Sequence, residues 1–149
     1  MTKSVQITQP LRAWMDVFMH RSMRGWSQFA KTTGLSMPQF SILMQLHYKG
    51  TCGLSQVSER FDISAAAASQ LVEKLVQSEL IERVEDPSDR RAKSLSLSKK
   101  GTQLVERGIQ ERYRWMDELA NMISAEERVK VIEALELLTE AAHRLEEKK

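Results

Sequence analysis

The chain has 149 residues, enough to bury a hydrophobic core without disulfides or metals. Apolar residues make up 42% and charged residues 28%, which is typical of a globular protein and excludes a disordered chain. Cys52 is the only cysteine, so no internal disulfide can form, and no apolar run is long enough to span a bilayer. We therefore expect a single globular unit, residues 1–149, in the cytoplasm.

The net charge of +2 is too small to indicate a nucleic-acid-binding protein, so the distribution of charge along the chain matters more. Residues 1–34 carry a charge of +4, and residues 102–149 carry a charge of −3. Within the middle of the chain, residues 88–101 hold five basic side chains against Asp89 alone. Positive charge is therefore concentrated in one short segment that can contact phosphate.

A long amphipathic helix is predicted near the start of the chain. Apolar residues recur every three or four positions from Leu11 to Lys31, which indicates a helix with one buried face. Pro10 suits the first turn of this helix, because proline lacks the backbone donor that a first turn leaves unpaired. A second helix is predicted over residues 37–49, and Gly50 is expected to end it.

Two shorter helices are predicted next. Residues 53–61 form about two turns, and Ser64 is a good N-cap for a helix that runs to residue 78. A tight turn at Asp62 joins them, which is the arrangement of a helix-turn-helix. The side chains expected to point inward are Leu54, Val57 and Phe61 in the first helix and Ala68, Leu71, Val72 and Leu75 in the second.

A β-hairpin is predicted after the second of these helices. Residues 80–84 favour an extended strand, and the segment 86–89 has the composition of a turn. The returning strand alternates strictly, with Leu95 and Leu97 on one side and Ser94, Ser96 and Ser98 on the other. A hairpin placed directly after a helix-turn-helix makes residues 37–100 a predicted winged helix-turn-helix module.

Two further helices complete the prediction. Lys99 and Lys100 open a long helix, and Ser124 with Glu127 forms a capping-box pattern that begins the last one. The predicted fold is mainly α with a small β-hairpin: a winged helix-turn-helix flanked by long N- and C-terminal dimerisation helices at residues 9–33 and 101–147. Because the middle module is too small to cover the apolar faces of these helices, we expect them to dimerise with a second copy of the chain.

The second helix of the helix-turn-helix is predicted to enter the major groove of DNA, which at about 12 Å accepts an α-helix. Gln70 can pair bidentately with adenine, Ser69 can bond a base or a phosphate, and Lys74 suits a phosphate. Small alanines allow close approach, and their methyl groups can contact thymine. The outward face offers Ala65, Ala66, Ser69, Gln70, Glu73 and Lys74, and all except Glu73 are assigned to the DNA contact.

The hairpin tip is predicted to reach the minor groove. Arg90 and Arg91 lie beside Asp89, so a guanidinium can enter the electronegative groove while the carboxylate orients it. Arg91 is assigned that role, and Lys93 completes the predicted set of DNA-binding residues. A solvated turn is the ordinary interpretation of two such arginines, but their position at a hairpin tip favours DNA contact.

The stretch LIERVEDPSDRRAKSLSLSKKG resembles the wing of MarR-type (multiple antibiotic resistance) regulators, and the rest of the chain is similar to that family almost throughout. The family pattern of an Asp-Arg-Arg tip, alternating apolar residues, a Leu-Thr pair and a glycine is matched by residues 89–91, Leu95, Leu97–Ser98 and Gly101. The resemblance implies a DNA-binding transcriptional regulator, expected to repress as a homodimer on a pseudo-palindromic operator. It also implies a small aromatic or phenolic effector bound between the dimerisation helices and the winged module.

Two positions depart from the family pattern. Asp62 stands where the turn between the two helices usually has glycine, and Glu79 stands where a glycine usually ends the second helix. Each is expected to strain the backbone slightly, and aspartate tolerates the left-handed conformation better than most residues. The second helix also lacks the arginine or lysine often found near position 70, so base recognition is expected to depend more on the wing and on DNA shape.

Several side chains can have either a functional or a purely structural role. Apolar and aromatic residues of the long helices can line an effector pocket, although such stripes are more often core; the candidates are Met15, Met19, Met44 and Trp115. The Cys52 thiol can act as a redox sensor, but a free cysteine is usually buried and inert. The three histidines are too scattered for a metal site, and no cofactor is expected.

Two other classes of function fit the sequence less well. The sequence has no phosphate-binding glycine loop and no paired nucleophile and base, so an enzyme is not expected. A protein-interaction scaffold of the same fold that has lost specific DNA binding is the main alternative, because residues 54–101 have no net charge. Retention of Asp89, Arg90 and Arg91 at the predicted wing tip favours DNA binding over this alternative.

Overall fold

The computed structural model describes residues 2–85 and 93–147. Its elements in chain order are α1 Thr2–Thr33, α2 Met37–Lys49, β1 Thr51–Gly53, α3 Leu54–Phe61, α4 Ala65–Gln77, β2 Ile81–Glu85, β3 Lys93–Leu97, α5 Lys99–Asn121 and α6 Ala125–Glu146. The predicted fold class, mainly α with a small β-hairpin, is confirmed. None of the helices in the described ranges is long and apolar enough to cross a membrane.

The chain divides into two compact units, Met1–Tyr113 and Arg114–Lys149. The division falls within α5. The first unit contains α1 to α4, the sheet and most of α5, and the second contains the end of α5 and α6. All of the winged helix-turn-helix therefore belongs to the first unit.

Helix α1 begins earlier than the hydrophobic pattern predicts. It starts at Thr2, so Pro10 lies inside the helix and not in its first turn as expected. The preceding Gln9 is not an N-cap residue, and residues 2–9 contain no glycine that would stop a helix. Helical structure therefore extends through Pro10, although proline cannot donate the backbone hydrogen bond of a helix interior.

Local signals fix the ends of α2. Ser36 is the N-cap: its hydroxyl accepts from the Gln39 amide nitrogen at 3.4 Å, and the Gln39 side chain accepts from the Ser36 amide nitrogen at 2.9 Å. Gly50 adopts a φ of 82° after the last turn, and its N–H donates to the Leu46 carbonyl. The predicted bounds of this helix, including its termination at Gly50, are confirmed.

The helix-turn-helix has the predicted form. Asp62 ends α3 in the left-handed conformation, with a φ of 49°. The Ser64 hydroxyl then caps α4 by accepting the Ala67 N–H at 3.1 Å. The departure from the family glycine at Asp62 is therefore accommodated by a left-handed aspartate, as expected.

The strands form a three-stranded antiparallel sheet in the order β1-β3-β2; β1 directly precedes the helix-turn-helix, and β2 and β3 follow it. The hairpin of β2 and β3 was predicted, but β1 was not. Cys52 of β1 lies opposite Leu95, which in turn lies opposite Arg83 of β2, so β3 is the central strand. Both faces of β3 are covered, since Leu95 is buried on one face and Ser94 on the other; Ser98, directly after the strand, is buried too.

The core of the first unit lies between α2, the helix-turn-helix, the sheet and the start of α5. Most positions predicted to point inward are buried, and the others pack partly buried against them. Val57, Ala68, Val72 and Leu75 belong to the buried cluster, while Leu54, Phe61 and Leu71 lie at its edge. This core holds α4 in place and leaves its opposite face open.

In the second unit, α6 begins with the predicted capping box. The Glu127 amide donates to the Ser124 hydroxyl, and the Ser124 amide donates to the Glu127 carboxylate at 3.0 Å. The Ser124 hydroxyl also donates to that carboxylate at 2.8 Å, and these bonds lower the pKa of Glu127. The start of the last helix is therefore set by local hydrogen bonds.

Candidate nucleic-acid interface

The outer face of α4 carries the side chains predicted to contact DNA. All five of the assigned residues are exposed: Ala65, Ala66, Ser69, Gln70 and Lys74. The buried face, which includes Val72 and Leu75, packs into the core. Because the exposed side chains near the N-terminus of α4 are small, a nucleic acid can approach the helix backbone closely there.

The hairpin contributes a second part of the candidate surface. Lys93 is exposed at the first position of β3. The predicted tip residues Asp89, Arg90 and Arg91 fall in residues 86–92, outside the described part of the chain. Their assignment to the minor groove therefore remains a prediction from the sequence.

An ion pair between α4 and the sheet was not predicted. The Arg83 guanidinium on β2 donates from Nη2 to Glu73 Oε2 on α4 at 2.8 Å, and the two side chains are 43% and 46% exposed. Arg83 also lines a cavity of about 150 Å³, together with Ser69 of α4 and Lys93 of β3. A sequence separation of ten residues gives no local signal for this pair, since neither helix nor strand periodicity relates the two positions.

Hydrogen bonds join the end of α4 to the start of α5. Glu79 has a φ of 59°, so the second departure from the family glycine also adopts the left-handed conformation. The Ser98 hydroxyl donates to the Glu79 carbonyl at 2.6 Å and accepts the Gly101 N–H at 2.9 Å. Lys100 Nζ donates to the Ser78 carbonyl at 2.9 Å. These bonds fix the turn that follows α4.

The environment of Cys52 favours a packing role. The side chain is 3% exposed and belongs to the hydrophobic core. Burial raises the pKa of the Cys52 thiol, and the positive charge of Lys49 offsets this increase only in part. A thiol with a raised pKa is a poor nucleophile. Within the described residues, no group of three or more histidine, cysteine or acidic side chains is placed to hold a metal.

The candidate effector residues lie in different environments. Met15 and Met19 are each 45% exposed on α1, four residues apart and therefore on one face. Met44 on α2 packs against the core of the first unit. Trp115 belongs to the second unit and is partly exposed. Met15 and Met19 are thus not core residues of the single chain, and the assignment of an effector pocket stays a prediction.

The order of elements defines the class of protein. A helix-turn-helix followed by a β-hairpin, with a polar outer face on its second helix, is a winged helix-turn-helix. Residues 35–93 match the model of the MarR family. The matched segment is the winged module, which is therefore similar to that of the MarR family, a family of transcriptional regulators and not of enzymes.

Known proteins similar to the chain agree with this assignment. The transcriptional regulator MhqR of Bacillus subtilis is 30% identical over 63% of this chain and 65% of its own length, so the match spans just under two thirds of that relative. Transcriptional regulator Tm0710 from Thermotoga maritima has the same fold, with a TM-score of 0.85, 22% identity and coverage of 95% of this chain and 99% of its own. A MepR variant from S. aureus, bound to an oligodeoxyribonucleotide, has a TM-score of 0.68, 19% identity and coverage of 89% and 97%.

Proposed function

We propose that the chain is a DNA-binding transcriptional regulator that acts in the cytoplasm and binds a pseudo-palindromic operator as a homodimer. The observation that carries the proposal is the exposed outer face of α4, opposite a fully packed inner face. A helix of this kind fits the major groove, and we assign Gln70 to pair with adenine and Lys74 to contact a phosphate. The MepR variant of the same fold is bound to DNA, which supports the same kind of partner here.

The hairpin adds the second contact of the proposal. Lys93 is exposed on the strand that leaves the hairpin tip, and in the sequence Arg91 and Arg90 lie two and three residues before it. A wing arginine in a narrow minor groove adds affinity at A·T-rich positions without reading individual bases. The proposed contact set is therefore the α4 residues for base recognition, with Asp89, Arg90, Arg91 and Lys93 for the adjoining groove and backbone.

A homodimer is proposed because large apolar side chains remain exposed on the long helices. Helix α6 has no buried residue, and Ile132 and Leu135 on it are 54% and 48% exposed. On α1, Leu11 and Trp14 are each 37% exposed. Exposed apolar surface of this extent marks an interface, and a second copy of the chain would cover both faces with two-fold symmetry.

Light scattering at micromolar concentration should give the mass of a dimer for the parent chain. Leu135→Lys should shift the protein toward monomer, because it places a charge in the proposed apolar interface. Glu133→Gln on the same helix makes the same change in charge at another exposed position and should leave the mass unchanged. A parent chain that is monomeric under these conditions would contradict the proposed dimer.

A small aromatic or phenolic effector is proposed to release the regulator from DNA, which would make it a repressor relieved by its ligand. The methionines on α1 support this, because flexible, polarisable side chains adapt to varied apolar ligands. Met15 and Met19 are exposed and share one face, so they are available to such a ligand. Met44 and Trp115 remain the other proposed contacts.

Selection of oligonucleotides bound by the parent chain tests the proposal directly. We expect two half-sites related by a dyad and separated by about one helical turn, roughly 34 Å, because a two-fold protein requires matching DNA symmetry. Gln70→Ala should weaken the preference at one base pair of each half-site by about 1–3 kcal/mol. The control Gln103→Ala removes an exposed glutamine from α5 and should leave the selected sequence intact. A selected sequence without a dyad would count against binding as a symmetric dimer. An unchanged profile for Gln70→Ala would remove Gln70 from the proposed base contacts.

A further inference from the structure

We propose that Glu73 is a base-reading residue of the DNA-binding surface, selective for cytosine, and that Arg83 positions its carboxylate. The inference rests on the proposed function, because it requires the outer face of α4 to enter the major groove. Glu73 is the only acidic residue of α4. Every phosphate beside the groove repels a carboxylate, so its presence on this face calls for a compensating interaction.

Glu73 lies on the same face of α4 as two predicted contact residues. It follows Ser69 by four positions and Gln70 by three, and such spacings bring side chains to neighbouring places on a helix surface. One helical turn rises about 5.4 Å, and successive base pairs are about 3.4 Å apart. Glu73 would therefore face a base pair that lies no more than two base pairs away from the one that faces Gln70.

Arg83 holds the carboxylate from the side of the sheet. Its Nη2 donates to Glu73 Oε2 at 2.8 Å, and both side chains are about half exposed, at 43% and 46%. Pairing within the sheet fixes the backbone of Arg83 and the face on which its side chain lies. Arg83 is paired with Leu95, which is 3% exposed, so the two side chains lie on the same face of the sheet. The ion pair thus offsets the negative charge of Glu73 and restricts where its carboxylate can point.

The chemistry of a carboxylate selects one base. An ionised carboxylate only accepts hydrogen bonds, and in the major groove guanine and thymine present only acceptors. Cytosine presents the N4 amino group as a donor, whereas adenine places the N7 acceptor beside its amino group. With Oε2 bonded to Arg83, Oε1 of Glu73 has lone pairs for a cytosine amino group. The arrangement therefore favours cytosine over the other three bases.

The test compares the sequences selected by the parent chain with those selected by Glu73→Gln, Arg83→Ala and Arg83→Lys. We expect a C·G pair within two base pairs of the position that depends on Gln70. Glu73→Gln should reduce the preference for that pair about five- to 100-fold while other positions keep theirs. Arg83→Ala should reduce the preference at the same pair, and Arg83→Lys should restore part of it by supplying a single charged donor.

The matched control is Glu82→Gln, which makes the same change in charge on β2. Glu82 is adjacent to Arg83 and so points to the opposite face of the sheet, and its profile should equal that of the parent chain. An ion pair as exposed as Glu73–Arg83 contributes little to folding, so unfolding midpoints should stay close to that of the parent.

The possible outcomes separate this inference from the proposed function. If the parent chain selects an operator but Glu73→Gln has the same profile, the inference is overturned and the proposed function stands. The inference is also overturned if Glu73→Gln binds every sequence more tightly by the same factor, because Glu73 would then only repel phosphate. A parent chain that selects no sequence overturns the proposed function and the inference together.

Discussion

Replacing Arg91 with alanine is expected to weaken operator binding roughly 30- to 700-fold while the protein stays folded. The estimate assumes that Arg91 contributes about 1–2 kcal/mol to binding in each of the two subunits of the proposed dimer. Each 1.4 kcal/mol corresponds to a factor of about ten in affinity. The loss should be greatest on sites with A·T-rich flanks, where the minor groove is narrow and its potential most negative. The slope of log affinity against log salt should also become shallower, because fewer counterions are released.

Binding isotherms at several salt concentrations, on operators with A·T and with G·C flanks, measure these effects. Lys99→Ala, at the exposed first position of α5, should lower affinity less. Asp89→Ala should give a milder form of the Arg91 defect, because the guanidinium loses the carboxylate that orients it. The unfolding midpoint of Arg91→Ala should match that of the parent. Isotherms that overlay those of the parent on both kinds of operator would remove Arg91 from the proposed contact.

Local sequence signals predicted the helix ends of the winged module well. The hydroxyl of Ser64, and Gly50 with its positive φ, act within a few residues of their own positions, so their roles depend little on the rest of the fold. Family resemblance identified Asp62 and Glu79 as positions where the chain departs from glycine, and both adopt positive φ. Such features are readable from sequence because the backbone conformation is decided locally.

Features that depend on distant residues were missed. Strand β1 has only three residues and exists through its pairing with β3, so its own sequence carries no alternation. The helical start before Pro10 has no capping signal to mark it. The Arg83–Glu73 pair joins a strand to a helix, and only the folded arrangement brings the two charges together. For the candidate site, the sequence therefore predicted which face of α4 is exposed but not how that face is connected to the sheet.

Gly101→Ala is expected to destabilise the fold by about 3 kcal/mol, even though alanine favours a helix over glycine by about 1 kcal/mol. Gly101 is buried in the first turn of α5, and an added Cβ would overlap the carbonyl oxygen of Leu80. That oxygen already accepts the Ser98 N–H at 3.1 Å, so it cannot retreat without weakening a buried hydrogen bond. The glycine of the family pattern is thus explained by the close approach of two backbones.

Thermal unfolding at a fixed protein concentration measures this effect, because the midpoint of a dimer depends on concentration. A loss of about 3 kcal/mol should lower the midpoint by roughly 6–12 °C in a chain of this size. The control Gln110→Ala changes an exposed position of the same helix and should stay within about 0.5 kcal/mol of the parent. An unchanged midpoint for Gly101→Ala would mean that α5 can move away from Leu80 at little cost. Since Leu80 directly follows the turn that ends α4, the folded fraction of Gly101→Ala should also bind the operator more weakly than the parent, and Gln110→Ala should not.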